Sequence, residues 1–286
     1  MTNNQRASMS AKVAVVTGSN KGIGYQIVRK LCQLLPEGST VILTSRNQKK
    51  GEQAVESLKR EGLNPVLHQL ELTDSTSIQK LRDYIYSTYG GLDILVNNAG
   101  FAFKMAATEP YSIQARETLR INFFGTLNLS RALLPLMRPN GRVVNVASRA
   151  GMLGQVARKL QKELMREELT EQELETLMNR FITDVEMGVH EQNGWPENSA
   201  YGVSKLGVNI LTRIQARTSS EYAPHSPGVL VNSCCPGWCK SDMAGWERPP
   251  LTAEQGADTP VFLALLPERS KLNGQFVAER EPISLQ

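Results

Sequence analysis

A tyrosine and a lysine four residues apart are the pair in this sequence best suited to moving a proton. Tyr201 and Lys205 stand in the run Ala-Tyr-Gly-Val-Ser-Lys, and on a helix this spacing puts both side chains on one face. The ammonium should favour the phenolate and bring the tyrosine pKa from about 10 toward neutrality. Such a phenol could protonate a carbonyl oxygen while the carbon receives a hydride. A surface helix can carry the same spacing, so the pair needs support from the rest of the chain.

Two further residues are candidates for catalysis. Residues 141–148 read as a strand that ends in Ser148, outside any Gly-x-Ser-x-Gly motif, so a hydrolase nucleophile is not indicated. A hydroxyl at the end of a strand instead suits a hydrogen bond to a substrate carbonyl. Asn122 falls inside a predicted helix over 113–137. It either bends that helix or holds a water against Lys205.

A strand, a glycine-rich turn and a helix follow one another near the start of the chain. The β-branched run 12–17 leads into Gly18-Ser-Asn-Lys-Gly-Ile-Gly24, and apolar residues at helical spacing occupy 25–35. Gly18 would permit the tight turn. Gly22 and Gly24 would let the helix N-terminus approach a pyrophosphate. This order of elements predicts a dinucleotide site.

The end of the second strand indicates which dinucleotide binds. Residues 40–45 form that strand, and Arg46 stands where an acid usually holds the ribose of NAD. Arg46 and Lys21 would instead bind a 2′-phosphate. At about 1.5–3 kcal/mol for each charged hydrogen bond, two of them would favour NADP(H) by ~10²–10⁴. Lys49 and Lys50 either assist or are solvated surface charges.

The alternation of strands and helices predicts an α/β fold with a Rossmann-type, doubly wound parallel sheet. Strands at 65–72 and 92–96 would place Glu71 and Leu72 near an adenine, and Asn98, Ala99 and Gly100 against the cofactor. One domain over 11–286 is expected, with 1–10 as a flexible tail. Residues 152–195 form an insertion of two helices before the tyrosine, with a capping box at Thr170-x-x-Glu173.

The segment after the sixth predicted strand, 229–233, is expected to touch both cofactor and substrate. Pro236, Gly237 and Ser241 should fix the carboxamide side of the nicotinamide. Trp238 and Met243 belong to an apolar, loop-like stretch up to residue 250 that suits a substrate lid.

Composition narrows the class of protein. The chain has 286 residues, 41% of them hydrophobic, with a net charge of +4. Neither a basic run with aromatics nor an apolar run of about 20 residues occurs, so nucleic acid and membrane are not expected partners. The start of the chain lacks the apolar core of a signal peptide. Four cysteines without zinc spacing predict reduced thiols in the cytoplasm and no metal site.

Taken in order, these motifs resemble the short-chain dehydrogenase/reductase family over nearly the whole chain, and within it the monomeric NADPH-dependent carbonyl reductases. The matching motifs are Thr17-Gly-Ser-Asn-Lys-Gly-Ile-Gly24, Asn97-Asn-Ala-Gly100, Asn122-Phe-Phe-Gly-Thr126, Ser148, Tyr201-x-x-x-Lys205, Gly194-Trp-Pro196, Cys234-Cys-Pro-Gly-Trp238 and Asp242-Met243. The resemblance implies NADPH as cofactor, ketones, aldehydes and quinones as substrates, with prostaglandins and glutathione adducts as further candidates, and a monomer. In that subfamily, an insertion similar to 152–195 covers the helix face that relatives use to oligomerise.

The residues and the resemblance together assign three sets of site residues. Catalysis is assigned to Asn122, Ser148, Tyr201 and Lys205. Cofactor binding is assigned to Gly18, Asn20, Lys21, Gly22, Ile23, Gly24, Arg46, Glu71, Leu72, Asn98, Ala99, Gly100, Tyr201, Lys205, Pro236, Gly237, Trp238, Cys239 and Ser241. Substrate contact is assigned to Phe103, Lys104, Gln114, Ser148, Trp238 and Met243.

Some residues depart from the family pattern and leave the substrate range open. Ala147 precedes the serine where a second serine is common, and Arg149-Ala150 replaces apolar residues that line the pocket. Cys239 stands where valine is usual. Two alternative functions are an NADP-dependent dehydrogenase for secondary alcohols or steroids and a catalytically silent NADP-binding regulator. The regulator would be marked by loss of Tyr201 or Lys205, and both are present.

Overall fold

An eight-stranded sheet lies between two layers of helices in the computed structural model, which describes residues 10–104 and 106–286. The strands are β1 Val13–Val16, β2 Thr40–Ser45, β3 Val66–Gln69, β4 Leu92–Asn97, β5 Met137–Val146, β6 Leu230–Cys235, β7 Phe276–Ala278 and β8 Glu281–Ile283. Their order is β3-β2-β1-β4-β5-β6-β7-β8, and all neighbours are parallel except β7 and β8. The predicted parallel sheet is confirmed, whereas the short antiparallel β8 is an addition to it. The tail proposed for 1–10 lies outside the described residues, apart from Ser10.

The helices cover both faces of the sheet. They are α1 Gly22–Leu34, α2 Gln48–Arg60, α3 Ser75–Tyr89, α4 Tyr111–Leu119, α5 Gly125–Leu133, α6 Arg158–Met165, α7 Glu171–Glu186, α8 Ala200–Arg217, α9 Ser219–Tyr222, α10 Ala253–Gly256 and α11 Asp258–Ala264. Strands β1, β2 and β4 are almost wholly buried and read as near-continuous apolar runs, as expected of parallel strands covered on both faces. None of the helices in the described part of the chain is long and apolar enough to cross a bilayer.

The strand order reverses between β1 and β4, and this reversal creates the cleft. From β1 the chain proceeds outward through β2 and β3, and then returns to the other side of β1 as β4. The loops that leave the carboxyl ends of β1 and β4 therefore diverge to opposite faces of the sheet. Doubly wound sheets bind ligands at such a point.

The helix predicted over 113–137 is interrupted in the structure. It consists of α4, a π-helical turn at Arg120–Phe124, α5 and a 3₁₀ turn at Leu134–Leu136, and Met137 already belongs to β5. The π turn coincides with Asn122, whose side chain bonds outside the helix, and Pro135 lacks the N–H that a longer helix would need. A second interruption lies at Ala257, which separates α10 from α11.

The inserted helices pack on the body of the protein as the sequence predicts. Thr170 and Glu173 form the capping box at the start of α7. The helix then buries an apolar stripe and packs against α4 and α8. Phe181 and Trp195 meet edge to face, and the Trp195 indole donates to the buried carboxylate of Asp184 at 2.9 Å. The insertion is therefore part of the core of the domain.

We expect Phe181→Ala to lower the free energy of unfolding by about 3–5 kcal/mol, because it removes a fully buried ring from the contact between α7 and the body. Urea unfolding of the two proteins measures the difference. Met187→Ala, at a side chain that is 63% exposed, is the control and should change stability by less than about 0.5 kcal/mol. A loss below about 1 kcal/mol at Phe181 would show that the insertion does not contribute to the core.

Candidate active site

Tyr201 and Lys205 occupy the first two turns of α8 and face the end of β5. The Lys205 ammonium lies 5.7 Å from the centre of the Tyr201 ring. It is almost completely buried and donates to the carbonyl of Val146 at 2.8 Å. This hydrogen bond connects α8 to the last residue of β5 and so brings the lysine to the carboxyl edge of the sheet.

Ser148 lies two residues beyond Val146 and next to Tyr201. Its hydroxyl accepts a hydrogen bond from the Ala150 N–H at 3.1 Å, which orients the side chain at the start of a short 3₁₀ turn. The same hydroxyl is close enough to the Tyr201 phenol to lower its pKa. The structure therefore brings Ser148, Tyr201 and Lys205 together from two elements far apart in sequence.

Burial controls the protonation of this group. It raises the pKa of Tyr201 to about 12, and the nearby Ser148 hydroxyl offsets only part of that rise. Burial also lowers the pKa of Lys205 to about 8. Tyr201 as a residue is partly exposed, but its hydroxyl end, where the proton is held, is surrounded by protein. The predicted fall of the tyrosine pKa toward neutrality is thus wrong for the free protein, in which Tyr201 keeps its proton at neutral pH.

Asn122 is held by hydrogen bonds to a neighbouring loop. Its Oδ1 accepts from the Phe101 N–H at 2.7 Å, and its Nδ2 donates to the Phe101 carbonyl at 2.8 Å and to Ser204 Oγ at 2.9 Å. A Cβ placed on Gly100 would lie 3.4 Å from Lys205 Nζ and 3.5 Å from Asn122 Oδ1. Asn122 therefore approaches Lys205 across Gly100, while its amide clamps the loop that follows β4. The irregular helix around it agrees with the bend that was one of the two expectations.

The glycine-rich turn forms an open cradle at the start of α1. Gly18 and Gly22 have positive φ angles of 59° and 60°, which favour glycine. A Cβ on Gly22 would meet nothing within 4 Å, so this side of the turn faces open space. Lys21, the N-cap of α1, makes no side-chain capping bond, and the first turn carries no acid. The first N–H groups of α1 can therefore receive an anion, and the cradle fits a pyrophosphate.

The loop after β4 is joined to the glycine-rich turn by hydrogen bonds. Thr17 Oγ1 accepts from the backbone N–H groups of Asn98 and Ala99, both at 2.9 Å, and Asn98 Nδ2 donates to the Thr17 carbonyl at 2.9 Å. A Cβ on Gly24 would lie 2.4 Å from Asn98 Nδ2, so only glycine allows this approach. Thr17 is a structural partner that the motif analysis did not single out. Its sequence signal was its place directly after β1, as the first residue of the glycine motif.

The two cations expected near a 2′-phosphate are placed differently. Lys21 forms an ion pair of 2.5 Å with Asp242, across the gap between the glycine turn and the lid segment. This ion pair lowers the pKa of Asp242, with smaller effects from Lys50 and Lys104. Arg46 is exposed directly after β2. The sequence did not indicate this pairing, because nothing local connects residues 221 positions apart.

Glu71 and Leu72 follow β3, which ends earlier than predicted, at Gln69. The Glu71 carboxylate accepts from the Thr73 backbone N–H at 3.2 Å and from its hydroxyl at 3.0 Å, and Leu72 is buried. The Glu71 carboxylate is thus bonded within its own loop, and the Leu72 side chain is packed in the core. They stand at the carboxyl edge of the sheet, on the side of β2, where an adenine was expected.

The segment after β6 borders the glycine turn. Gly237 has a φ of 83°, and Cys239 is buried. A Cβ on Gly256 would lie 2.4 Å from Cys239 Sγ and 3.2 Å from Ile23, so these residues meet at the start of α1. The Ser241 hydroxyl accepts from the Ala244 N–H at 3.2 Å within the lid segment. The turn of Pro236 and Gly237 also lines a cavity of about 670 Å³.

The residues expected to contact substrate are all at least partly exposed. Trp238 and Met243 are 50% and 40% exposed, as suits side chains of a lid. Phe103 packs edge to face on Phe101 at 4.9 Å, next to the loop that Asn122 clamps. Lys104 is exposed, and Gln114 donates to the Glu109 carbonyl at 2.8 Å. Asn20 lies in the glycine turn between Ser19 and Lys21.

Comparison with known proteins gives the family. The model of the short chain dehydrogenase family matches residues 12–159 and 187–251, which include the glycine turn and every residue of the group around Tyr201. The chain belongs to the short-chain dehydrogenase family. The stretch between the two matched segments, 160–186, contains nearly all of α6 and α7 and lies within the predicted insertion.

Individual relatives are similar over almost the full length. The chain is 48% identical over 279 residues to carbonyl reductase [NADPH] 1 of Bos taurus, covering 96% of this chain and 99% of that one. It is also 48% identical to carbonyl reductase [NADPH] 3 of Mus musculus, over 96% and 98% of the two chains. Salutaridine reductase from Papaver somniferum superimposes with a TM-score of 0.81 at 34% identity, over 93% of this chain and 99% of that chain.

The raised pKa of Tyr201 can be tested in the free protein. We expect tyrosinate absorbance to show no difference between the protein and its Tyr201→Phe variant on titration from neutral pH to about pH 10, because Tyr201 is still protonated there. Tyr86→Phe, at a side chain 63% exposed, is the control for the removal of one surface tyrosine. A tyrosine that ionises near pH 7 and is lost in Tyr201→Phe would contradict the result.

Proposed function

We propose that this protein is an NADPH-dependent carbonyl reductase that converts ketones, aldehydes and quinones to alcohols. The observation that supports this best is the convergence of Ser148, Tyr201 and Lys205 at the end of β5, on the same edge of the sheet as the open glycine turn. A hydroxyl, a protonated phenol and a cation suit the stabilisation of an oxygen that gains negative charge. The similarity to carbonyl reductases of mammals supports the same reaction.

The reaction requires that a proton reach the carbonyl oxygen as its carbon is reduced. When bound, NADPH supplies the hydride. Ser148 donates a hydrogen bond to the substrate oxygen, and Tyr201 gives it a proton. A pKa of about 12 suffices for that transfer, because an alkoxide is the base of an alcohol whose pKa lies near that of water, about 15.7. The raised pKa also keeps the donor protonated throughout the physiological range.

Lys205 and Asn122 support the donor. With a pKa of about 8, the Lys205 ammonium is mostly charged at neutral pH and stabilises the phenolate that proton transfer leaves behind. It is also the residue we assign to the ribose next to the nicotinamide. Asn122 holds the loop at Phe101 beside this ammonium. We assign it the positioning of a water through which Tyr201 regains its proton.

The residues around the cradle fit a dinucleotide that carries a 2′-phosphate. Gly18, Asn20, Gly22, Ile23 and Gly24 would hold the pyrophosphate at the start of α1. The 2′-phosphate is assigned to Arg46 and Lys21. Lys21 would release Asp242 and bind the phosphate instead.

The remaining cofactor contacts are assigned along the edge of the sheet. The adenine is assigned to the edge at Glu71 and Leu72, and the nicotinamide to a wall that runs from the loop after β4 to the lid segment. That wall consists of Asn98, Ala99, Gly100, Pro236, Gly237, Trp238, Cys239 and Ser241.

Substrate contact, assembly and location are the finer parts of the proposal. Phe103, Lys104, Gln114, Trp238 and Met243 are assigned to the substrate side of the cleft. A monomer is supported by α7, which packs on α4 and α8 and covers the face they would otherwise present. The cysteines in the described part of the chain, Cys32, Cys234, Cys235 and Cys239, are all free thiols, which supports a reducing compartment such as the cytoplasm.

Replacement of the proton donor tests the proposed reaction. We expect Tyr201→Phe to reduce kcat for NADPH-dependent reduction of aromatic aldehydes and quinones by at least ~10²–10⁴, the usual contribution of a general acid. NADPH oxidation measures the rate. Tyr86→Phe should retain the activity of the unmodified protein, because its phenol is exposed on α3. Near-normal turnover by Tyr201→Phe would refute the assignment.

The preference for NADPH depends on the charge after β2. We expect Arg46→Asp to lower the ratio of kcat/KM with NADPH to that with NADH about 10- to 100-fold, since one charged hydrogen bond is replaced by repulsion. Arg60→Asp changes the charge equally at the far end of α2, about 20 Å away, and should leave the ratio unchanged. An unaltered ratio in Arg46→Asp would remove Arg46 from the phosphate site.

A further inference from the structure

A glutamine outside the assigned site bridges the short 3₁₀ turn after Ser148 and the start of α8. Gln155 Nε2 donates to the Ala150 carbonyl at 2.7 Å, and Gln155 Oε1 accepts from the Ser199 hydroxyl at 3.1 Å. A carbonyl oxygen only accepts, so one orientation of the amide satisfies both partners. The side chain therefore connects a residue two positions after Ser148 with a residue two positions before Tyr201.

The bridge lies against the backbone of α8 next to the proposed proton donor. Gly202 directly follows Tyr201. A Cβ on Gly202 would lie 2.4 Å from Gln155 Oε1 and 2.3 Å from Ser199 Oγ. It would also lie 2.8 Å from the Ala150 carbonyl oxygen. These distances are well below van der Waals contact, so a side chain at this position would displace the bridge.

Ser199 is the N-cap residue of α8, but its hydroxyl does not cap the helix. A serine in this position usually accepts a hydrogen bond from one of the first N–H groups of the helix. The Ser199 hydroxyl makes no such bond and donates to Gln155 instead. The Ser199 backbone N–H donates to the Tyr111 hydroxyl at 3.0 Å. The start of α8 is thus fixed by contacts with other segments of the chain.

The end of the 3₁₀ turn is held further along the same helix. The Gly151 carbonyl accepts from the buried Asn209 Nδ2 at 3.1 Å. A Cβ on Gly151 would lie 2.5 Å from the carbonyl carbon of Lys205, so the turn packs directly on the helix backbone. The turn is therefore joined to α8 at two places, and the Gln155 bridge is the one on the side of Tyr201.

The bridge reaches the Ser148 hydroxyl through a single residue. The Ala150 N–H donates to Ser148 Oγ at 3.1 Å, and the Ala150 carbonyl accepts from Gln155. Both polar groups of this backbone unit are thus engaged. A shift of the turn would move the Ser148 hydroxyl relative to the Tyr201 phenol, and a displacement of about 1 Å between reacting groups can cost ~10² in rate.

We propose that Gln155 is a positioning residue, whose bridge from Ala150 to Ser199 fixes the distance between the Ser148 hydroxyl and the Tyr201 phenol. It acts through the backbone at either end of the bridge. This inference rests on the proposed reductase function, because it concerns the residues assigned to that reaction. The bridge joins the Ser148 turn to α8 and not to the glycine turn, so its loss affects kcat more than KM for NADPH.

Removal of the bridge, with a matched control, tests the proposal. Gln155→Met keeps the length of the side chain and loses both hydrogen bonds. We expect it to lower kcat about 10- to 100-fold with each aromatic aldehyde or quinone that the unmodified protein reduces, and to change KM for NADPH by less than about twofold. NADPH oxidation measures both. Gln161→Met is the control and should leave kcat unchanged, because Gln161 on α6 likewise donates to a carbonyl five residues earlier, that of Val156, at 2.8 Å.

Substitutions at Ser199 test the other end of the bridge. Ser199→Ala should lower kcat by no more than Gln155→Met does, although it removes no helix cap. Ser199→Thr keeps the hydroxyl and should retain most of kcat. The double variant of Gln155→Met and Ser199→Ala should be no slower than Gln155→Met alone, because both substitutions break one bridge. Independent, multiplying losses and no rescue by threonine would contradict a positioning role.

Amide hydrogen exchange separates this inference from the proposed reaction, because it needs no turnover. Protection of the Ala150 amide should fall about tenfold in Gln155→Met and stay unchanged in Gln161→Met. An unmodified protein that oxidises NADPH with no carbonyl refutes the proposed function, and exchange then decides whether Gln155 holds the turn. The inference is overturned by an active protein in which Gln155→Met keeps its kcat, or by equal protection of the Ala150 amide with and without the glutamine.

Discussion

The hydrogen bond from Lys205 to the carbonyl of Val146 is the contact on which the site depends. A buried ammonium is costly unless its charge is solvated by protein dipoles, and this carbonyl at the end of β5 provides one. The bond fixes the first two turns of α8 against the sheet edge, where Ser148 follows two residues later. Tyr201 lies one turn earlier on the same helix face, and this position brings it next to Ser148. The same burial sets the charges: the phenol stays neutral and the ammonium titrates near pH 8.

The cleft next to this contact is held in shape by hydrogen bonds within the chain. Thr17 and Asn98 join the carboxyl ends of β1 and β4 through four hydrogen bonds, three of them at 2.9 Å and the fourth at 3.2 Å. These bonds fix the glycine turn to the loop after β4. The backbone N–H groups at the start of α1 therefore remain directed at the cleft. Such preorganisation lowers the entropy that binding would otherwise cost. Asn122 acts similarly one loop further along, because it clamps both polar groups of the Phe101 backbone.

Much of this arrangement was predictable because the determining patterns are local. The order of strand, glycine turn and helix, the strand ending at Ser148 and the four-residue spacing of Tyr201 and Lys205 each report on a single element. Their convergence follows from the rule that parallel strands end at one edge of a sheet. The bend of the helix at Asn122 was one of two alternatives that the sequence left open. The pairing of Lys21 with Asp242 was not predictable, since it depends on a contact between distant segments. The pKa of Tyr201 was wrongly predicted for a related reason: burial is a property of the folded chain, and here it outweighs the neighbouring charge.

The ion pair of Lys21 and Asp242 shows how a lid can affect cofactor preference without touching the reacting atoms. The pKa of Asp242 is lowered first by Lys21 and further by Lys50 and Lys104, so the carboxylate stays charged below neutral pH. The Asp242 carboxylate thus pairs with Lys21, the cation that we assign to the 2′-phosphate. Both side chains are more than half exposed, and exposed ion pairs contribute little to stability. A phosphate with nearly two negative charges is the stronger partner, since Arg46 also faces it on the proposed site. On the proposed assignment, selectivity for NADP(H) is the difference in free energy between the Lys21–Asp242 ion pair and the contact of Lys21 with the phosphate.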